Sequence, residues 1–207
     1  MVSKYLIIFS IICVFFLSWK YFKKEELSIT NYPSNGVGVV AFGDSLISGV
    51  GSIQTEGFIK ILEDDLNIEI VNQGKPGDTT GDARMRLKKT IEEIPHPKVV
   101  IILLGGNDYL RRVPEEETFT NLGIIIETFQ KTGAVVLLLG VQGGIITDHF
   151  EGRFEEIADR YKVAFVLNVL EGVLGNQTYM SDSVHPNNTG YKIIANRVAP
   201  SLKKIIE

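Results

Sequence analysis

Five short apolar runs separated by amphipathic segments constrain this chain more than any other feature of its sequence. Val37–Phe42, Ile68–Val71, Val99–Leu104, Ala134–Leu139 and Ala164–Leu167 are rich in Val, Ile and Leu and show no polar alternation. That is the pattern of strands buried on both faces. Between them, Gly57–Leu66, Thr80–Ile94, Pro114–Thr132 and Phe150–Tyr161 read as amphipathic helices. A last helix is expected from near Thr189, with Tyr191, Ile194, Ala195, Val198 and Leu202 at helical spacing and Pro200 kinking or restarting it. Alternation of this kind dictates an α/β fold: a five-stranded parallel sheet, right-handed crossovers and helices on both faces, in three layers.

The first two dozen residues stand outside that pattern. Tyr5 to Trp19 is a stretch of uncharged, mostly large apolar residues flanked by Lys4 and Lys20. As a helix this core would span ~22 Å at ~1.5 Å per residue, short of a ~30 Å hydrocarbon layer. Trp19, Tyr21 and Phe22 extend it into the interface, and the flanking lysines can snorkel outward. The exit Ser18-Trp19-Lys20-Tyr21-Phe22 lacks a small-x-small cleavage site, and no small residue directly precedes Cys13. Residues 1–24 are therefore read as an uncleaved signal anchor or transmembrane segment, in preference to a cleaved and secreted form. Residues 25–35, polar and containing Pro33, read as a linker, and residues 36–207 have the size of one domain. Lys4 precedes the apolar segment whereas Lys20, Lys23 and Lys24 follow it, so the positive-inside rule alone would keep the domain in the cytoplasm. The short basic lead of an export signal argues for the opposite side, and an extracytoplasmic domain is expected.

The chain carries a net charge of −4. The four lysines and two glutamates before Gly36 account for +2 of this, so the domain itself holds −6. With no basic run, a nucleic-acid partner is not expected. The single cysteine, Cys13, lies in the anchor, so the domain folds without disulfides. The oligomeric state is not legible in the sequence.

In a parallel sheet, ligands bind beyond the carboxyl ends of the strands. Four polar stretches fall there: Asp44-Ser45 after the first run, "NQGKPGDTT" with Gly77 after the second, "LLGGNDYLR" with Asn107 after the third, and "SDSVHPNNTGY" after the fifth. A turn explains any one of them, since Gly, Asp and Ser are turn residues. Four converging on one edge are poorly explained that way. There is no G-x-x-x-x-G-K-[ST] phosphate loop, Gly49-Val50-Gly51 lacks the third glycine of a dinucleotide fingerprint, and His96, His149 and His185 form no close pair for a metal. His96, between two prolines at the other end of the sheet, reads as a surface turn residue, and His149 as structural. His185 lies three residues after Asp182, where a carboxylate can bond Nδ1 and leave Nε2 as a base. Acyl transfer needs a hydroxyl within reach of that nitrogen and donors aimed at a developing oxyanion. Ser45 offers the hydroxyl and one backbone N–H; Gly77 N–H and the Asn107 amide come from adjacent strand ends. Asp44 reads as a brace for its turn, Asp78 as a helix cap or turn residue, Thr79 and Thr80 as the helix start, and Asp108 as fixing the Asn107 loop.

"FGDSLISGVG", "GDTT", "GGND" and "DSVHP" together resemble, in order and spacing, the blocks of the GDSL, or SGNH, hydrolases. The likeness runs from Val37 to about Leu202, and "GGNDYLR" and "PGDTT" look most similar to the bacterial thioesterase, lysophospholipase and arylesterase branch. The resemblance implies a flavodoxin-like sheet, no cofactor, Ser45 as nucleophile, His185 as base, Asp182 as its orienting partner, and Ser45, Gly77 and Asn107 as the oxyanion hole. Gln73-Gly74-Lys75-Pro76 ahead of Gly77 departs from the family pattern. The expected activity is that of a membrane-tethered serine esterase acting on lysophospholipids, other lipid esters or thioesters. A carbohydrate O-acetylesterase is the alternative, and a non-catalytic tethered binding domain a third reading. Tyr109, Leu110, Ile145, Ile146 and Val184 are candidates to line an apolar acyl groove.

Overall fold

A computed structural model describes residues 28–53, 57–141 and 150–207. The expected anchor at residues 1–24, the start of the linker, and Ile145, Ile146 and His149 lie outside the described residues. Among the described residues no helix is long and apolar enough to cross a membrane.

The strands are β1 (Val39–Gly43), β2 (Ile70–Gly74), β3 (Val99–Leu103), β4 (Val135–Leu139) and β5 (Ala164–Val166). They pair in parallel in the order β2-β1-β3-β4-β5. Every residue of β1, β3 and β4 is buried, which is why their runs are apolar without alternation. Each fully buried Val, Ile, Leu or Phe side chain there is worth about 1.5–3 kcal/mol. Phe42 of β1 meets Phe129 edge-to-face, with ring centroids 5.2 Å apart. β2 is shifted from its expected range, Ile68–Val71, beginning at Ile70 and running on to Gly74. It is an edge strand, so Val71 and Asn72 are solvent-exposed, and pairing with β1 in register from Val39↔Ile70 to Gly43↔Gly74 sets its extent. A polar sequence is tolerated at an edge, and the apolar-run criterion misses it.

The helices are α1 (Ser45–Ser48), α2 (Phe58–Leu66), α3 (Thr80–Glu93), α4 (Gly106–Leu110), α5 (Glu115–Lys131), α6 (Phe150–Tyr161) and α7 (Asn188–Ile206). The five longer ones match the amphipathic segments to within a residue or two. The two short ones, α1 and α4, are too brief for helical periodicity and follow β1 and β3 directly. Helix α2 packs with α7, while α5 packs with α3 and α6, so the two groups cover opposite faces of the sheet. Pro200 does not restart the last helix, which is continuous through it. Pro200 and Asn196, one turn before it, are both exposed; water can serve the carbonyl that loses its donor. Asn187 caps the helix, its side chain accepting from Thr189 and Gly190 N–H at 3.0 and 3.1 Å.

The strand order reverses between β1 and β3: β2 is added on one side of β1 and β3 on the other. A crevice opens at such a switch point, beyond the carboxyl ends. Ser45 follows one of these two strands and Asn107 the other.

Candidate active site

The turn after β1 is built by Asp44. Its Oδ1 accepts from Leu46 N–H at 3.0 Å, capping α1, while Leu46 and Ile47 are buried. Ser45 is thereby the first helical residue, whose N–H has no partner among the described residues. Gly51, at φ +94°, lets the His185 loop approach. A Cβ there would lie 2.6 Å from Pro186 O and 2.9 Å from His185 Cβ. Tyr191 of α7 donates its hydroxyl to Val50 O at 2.6 Å and stacks on Phe58 of α2. The turn carrying Ser45 and the loop carrying His185 are therefore fastened to each other.

His185 stands between Ser45 and Asp182. Its Nε2 lies 3.0 Å from Ser45 Oγ and its Nδ1 2.7 Å from Asp182 Oδ2. The other oxygen, Asp182 Oδ1, accepts from Val184 and His185 N–H, both at 2.8 Å. The His185 hydrogen bond first, then the Val184 N–H, hold the Asp182 carboxyl at about 2. An ionised carboxylate only accepts, so Nδ1 carries the hydrogen and the Nε2 lone pair faces Ser45 Oγ. Ser181 N–H donates to His185 O at 2.8 Å, and Met180 and Pro186 form an antiparallel bridge, closing the loop.

Two further groups meet this pair. Gly77, at φ +84°, follows Lys75 in a turn closed by Asp78 N–H to Lys75 O at 3.1 Å. Its carbonyl accepts from Arg111 Nη2 at 2.7 Å, and its N–H has no partner among the described residues. Asn107, on α4, donates Nδ2–H to Asp78 O at 3.0 Å and to Asp44 Oδ2 at 3.3 Å. Asp108 does fix this loop. It accepts from Thr80 N–H at 2.9 Å, Thr80 Oγ1 at 2.5 Å and Thr118 Oγ1 at 3.3 Å, joining α4 to α3 and α5.

Of the two roles expected of Asp78, cap or turn residue, it takes the second, its N–H closing the Lys75 turn. Thr79 caps α3 in a capping box with Asp82, and Asp78 instead pairs with Arg86 Nε at 2.6 Å. Arg86 also donates to Gly43 O at 2.9 Å and lies 4.1 Å over the Phe42 ring. Asp44 does brace its turn, but its bond to Asn107 went unforeseen. Burial drives the Asp44 carboxyl up to about 7, against the lowering influence of Leu46 N–H and His185.

The site opens into a cavity of about 620 Å³. Among the expected acyl contacts, Tyr109, Leu110 and Val184 line it, while Ile145 and Ile146 lie outside the described residues. Val50, Val141, Leu170 and Leu174 also line it and were missed. Leu170 and Leu174 are four apart in "NVLEGVLG", an i,i+4 apolar pair that was the available signal. Among the described residues no group of three or more His, Cys, Asp or Glu is placed to hold a metal ion.

Residues 41–193 match the GDSL-like lipase/acylhydrolase family. The esterase TesA of Pseudomonas aeruginosa is 31% identical over 179 residues, covering 81% of this chain and 89% of that protein. The thioesterase 1/protease 1/lysophospholipase L1 of Escherichia coli K12 is 26% identical over 176 residues, covering 81% and 84%. A crystal structure of TesA superposes with a TM-score of 0.74 at 30% identity, over 81% of this chain and 98% of that one.

Proposed function

Since the chain belongs to the GDSL-like lipase/acylhydrolase family and is a carboxylic ester hydrolase, we propose that it cleaves lipid-type acyl esters or thioesters through Ser45, His185 and Asp182. The observation that carries this reading is the hydrogen-bonded chain Ser45–His185–Asp182 at the mouth of a largely apolar cavity. Ser45 Oγ attacks the acyl carbonyl carbon while its proton passes to His185 Nε2; the ionised Asp182 carboxylate, accepting from His185 Nδ1–H, steadies the imidazolium. The electron pair displaced from the carbonyl collects on its oxygen. The N–H groups of Ser45 and Gly77, unpaired among the described residues, and the amide of Asn107 are the donors suited to it. His185 then protonates the leaving oxygen or sulfur, giving an acyl-enzyme at Ser45. Water, activated by the same nitrogen, releases the acid. No step needs a metal or cofactor.

The cavity supports the lipid reading over a carbohydrate O-acetylesterase, because its lining by Leu46, Val50, Leu110, Val141, Leu170 and Leu174 suits an acyl chain and offers few hydrogen-bonding groups to a sugar ring. The relative named as a thioesterase and lysophospholipase points the same way. In this reading residues 36–207 are the catalytic domain and residues 1–24 a membrane anchor, and the connecting residues 25–35 are hydrogen-bonded to the domain from Thr30 onward.

The test compares p-nitrophenyl esters from acetate to palmitate with a lysophospholipid, an acyl-CoA and an acetylated sugar. kcat/KM should rise from acetate towards medium or long chains. A maximum at acetate, with turnover of the acetylated sugar, would assign the alternative. Ser45→Ala should fold and lose nearly all activity, and a phosphonate serine probe should label only the wild type. Labelling of the variant at another serine would overturn the nucleophile, and an inert, unlabelled wild type would leave a binding domain.

A further inference from the structure

Asp44 is a buried carboxyl directly before the proposed nucleophile, 4% exposed. None of the ion pairs among the described residues includes it, in contrast to Asp78, which has Arg86. Burying a carboxyl without a counter-ion is costly. A helix cap does not demand that cost, since Ser, Thr or Asn caps equally well. Only one Asp44 oxygen is used for the cap. The other faces Asn107 Nδ2, which also meets Asp78 O.

We propose that Asp44 is a positioning residue for ester hydrolysis, its Oδ2 fixing the Asn107 carboxamide so that the amide nitrogen faces the acyl carbonyl oxygen. With Asp44 ionised, its Oδ2 and Asp78 O are both acceptors and both require the nitrogen end of the amide. The flipped orientation would set its oxygen against two oxygens. A single bond to Asp78 O would leave the amide plane free to turn about χ2, and the second acceptor defines that plane. Leu46 N–H holds the carboxyl from the opposite side, so the nucleophile's turn and the proposed oxyanion donor are set by one side chain. Preorganisation of this kind acts where charge develops, in the transition state. The carboxyl's elevation to about 7 by burial is consistent with a group held for geometry at a cost in charge.

This inference rests on the reading of Asn107 as an oxyanion donor, and a double-mutant cycle separates the two. Asp44→Ala, Asn107→Ala and the double variant are assayed on p-nitrophenyl butyrate, with folding checked by circular dichroism. Asp44→Ala should lower kcat roughly 10–100-fold with KM within threefold. The double variant should be no slower than Asn107→Ala alone, because both changes remove one contribution. A merely structural role would make the losses multiply, and that result, or an Asp44→Ala kcat within twofold of wild type, overturns the proposal. If Asn107→Ala keeps full kcat, the oxyanion reading falls as well; if only Asp44→Ala does, the oxyanion reading stands. Should Asp44→Ala fail to fold, Asp44→Asn keeps an acceptor for Leu46 N–H while offering Asn107 a donor, and the same criterion applies.

Discussion

Asn107 and Asp44 show how much a single side chain decides here. Asn107→Ala should lower kcat by roughly 10²–10³-fold with little change in KM, the expectation for one lost oxyanion donor. A rise in KM alone would make Asn107 a substrate-binding residue. Asp44 and Asp182 should also leave opposite marks on stability. The Asp182 carboxyl is held at about 2 against 3.8 unfolded, so its contribution is present above pH 3.8 and is lost as pH falls through 2. The Asp44 carboxyl is raised to about 7. Below pH 3.8 both states hold its proton and it costs nothing. Between 3.8 and 7 the unfolded chain releases the proton while the fold retains it, so stability falls, and above 7 the full penalty applies. His185 from the α7 loop lowers this value, while Asp78 before α3 and Asp108 on α4 raise it. The Tm of Asp44→Asn minus that of wild type should therefore increase from pH 4 to pH 7 and level off above. A difference independent of pH would show that Asp44 ionises normally in the fold. Ser45, Asp182 and His185 stood out in the sequence as candidates because they sit in two short motifs, "FGDSL" and "DSVHP". The Asp44–Asn107 bond did not, since it joins the ends of two strands about sixty residues apart.

Among the elements, legibility followed burial. β1, β3 and β4 are buried throughout and read directly from their runs of Val, Ile and Leu, whereas β2 lies at an edge where Asn72 and Gln73 are acceptable and the run criterion shortens it. α1 and α4 escaped because four or five residues contain barely one helical turn, yet they carry Ser45 and Asn107. Helix α7 was legible by periodicity, and its cap has a consequence for the site. Asn187 accepts from Thr189 and Gly190 N–H and donates to Thr178 O at 2.9 Å, tying the helix start to the strand of chain leading into Asp182 and His185. Asn187→Ala should cost about 1–2 kcal/mol, lowering Tm by roughly 2–8 °C. It should also reduce kcat more than KM by loosening the His185 loop. Unchanged thermal melting would show that water replaces the cap without loss.

The molecule as a whole has two ends, and the chain enters at the one away from the site. Thr30 N–H bonds Lys162 O, Asn31 Nδ2 bonds Gln130 O and Ala134 O, and Ser34 Oγ bonds Gly133 O. These partners immediately precede β4 and β5, at the amino ends of the strands, whereas Ser45, Gly77 and Asn107 follow the carboxyl ends. From Thr30 onward, the segment read as a linker is thus fastened to the domain. Only residues 25–29 remain between it and the proposed anchor, a reach of at most ~18 Å. A tether at residues 1–24 would hold the domain close to its membrane with the cavity on the far side, open to esters arriving through water. Removing residues 1–27 should then yield a soluble enzyme whose kcat/KM for a water-soluble p-nitrophenyl ester is within twofold of the full chain in detergent. A large loss would mean that the N-terminal segment takes part in the site. Sidedness is a separate matter, because Lys20, Lys23 and Lys24 outnumber Lys4 across the apolar segment and by charge alone would keep the domain inside. With the export-signal character of that segment prevailing, protease added to intact spheroplasts should digest the domain. Digestion only after lysis would show that the lysines decide the orientation.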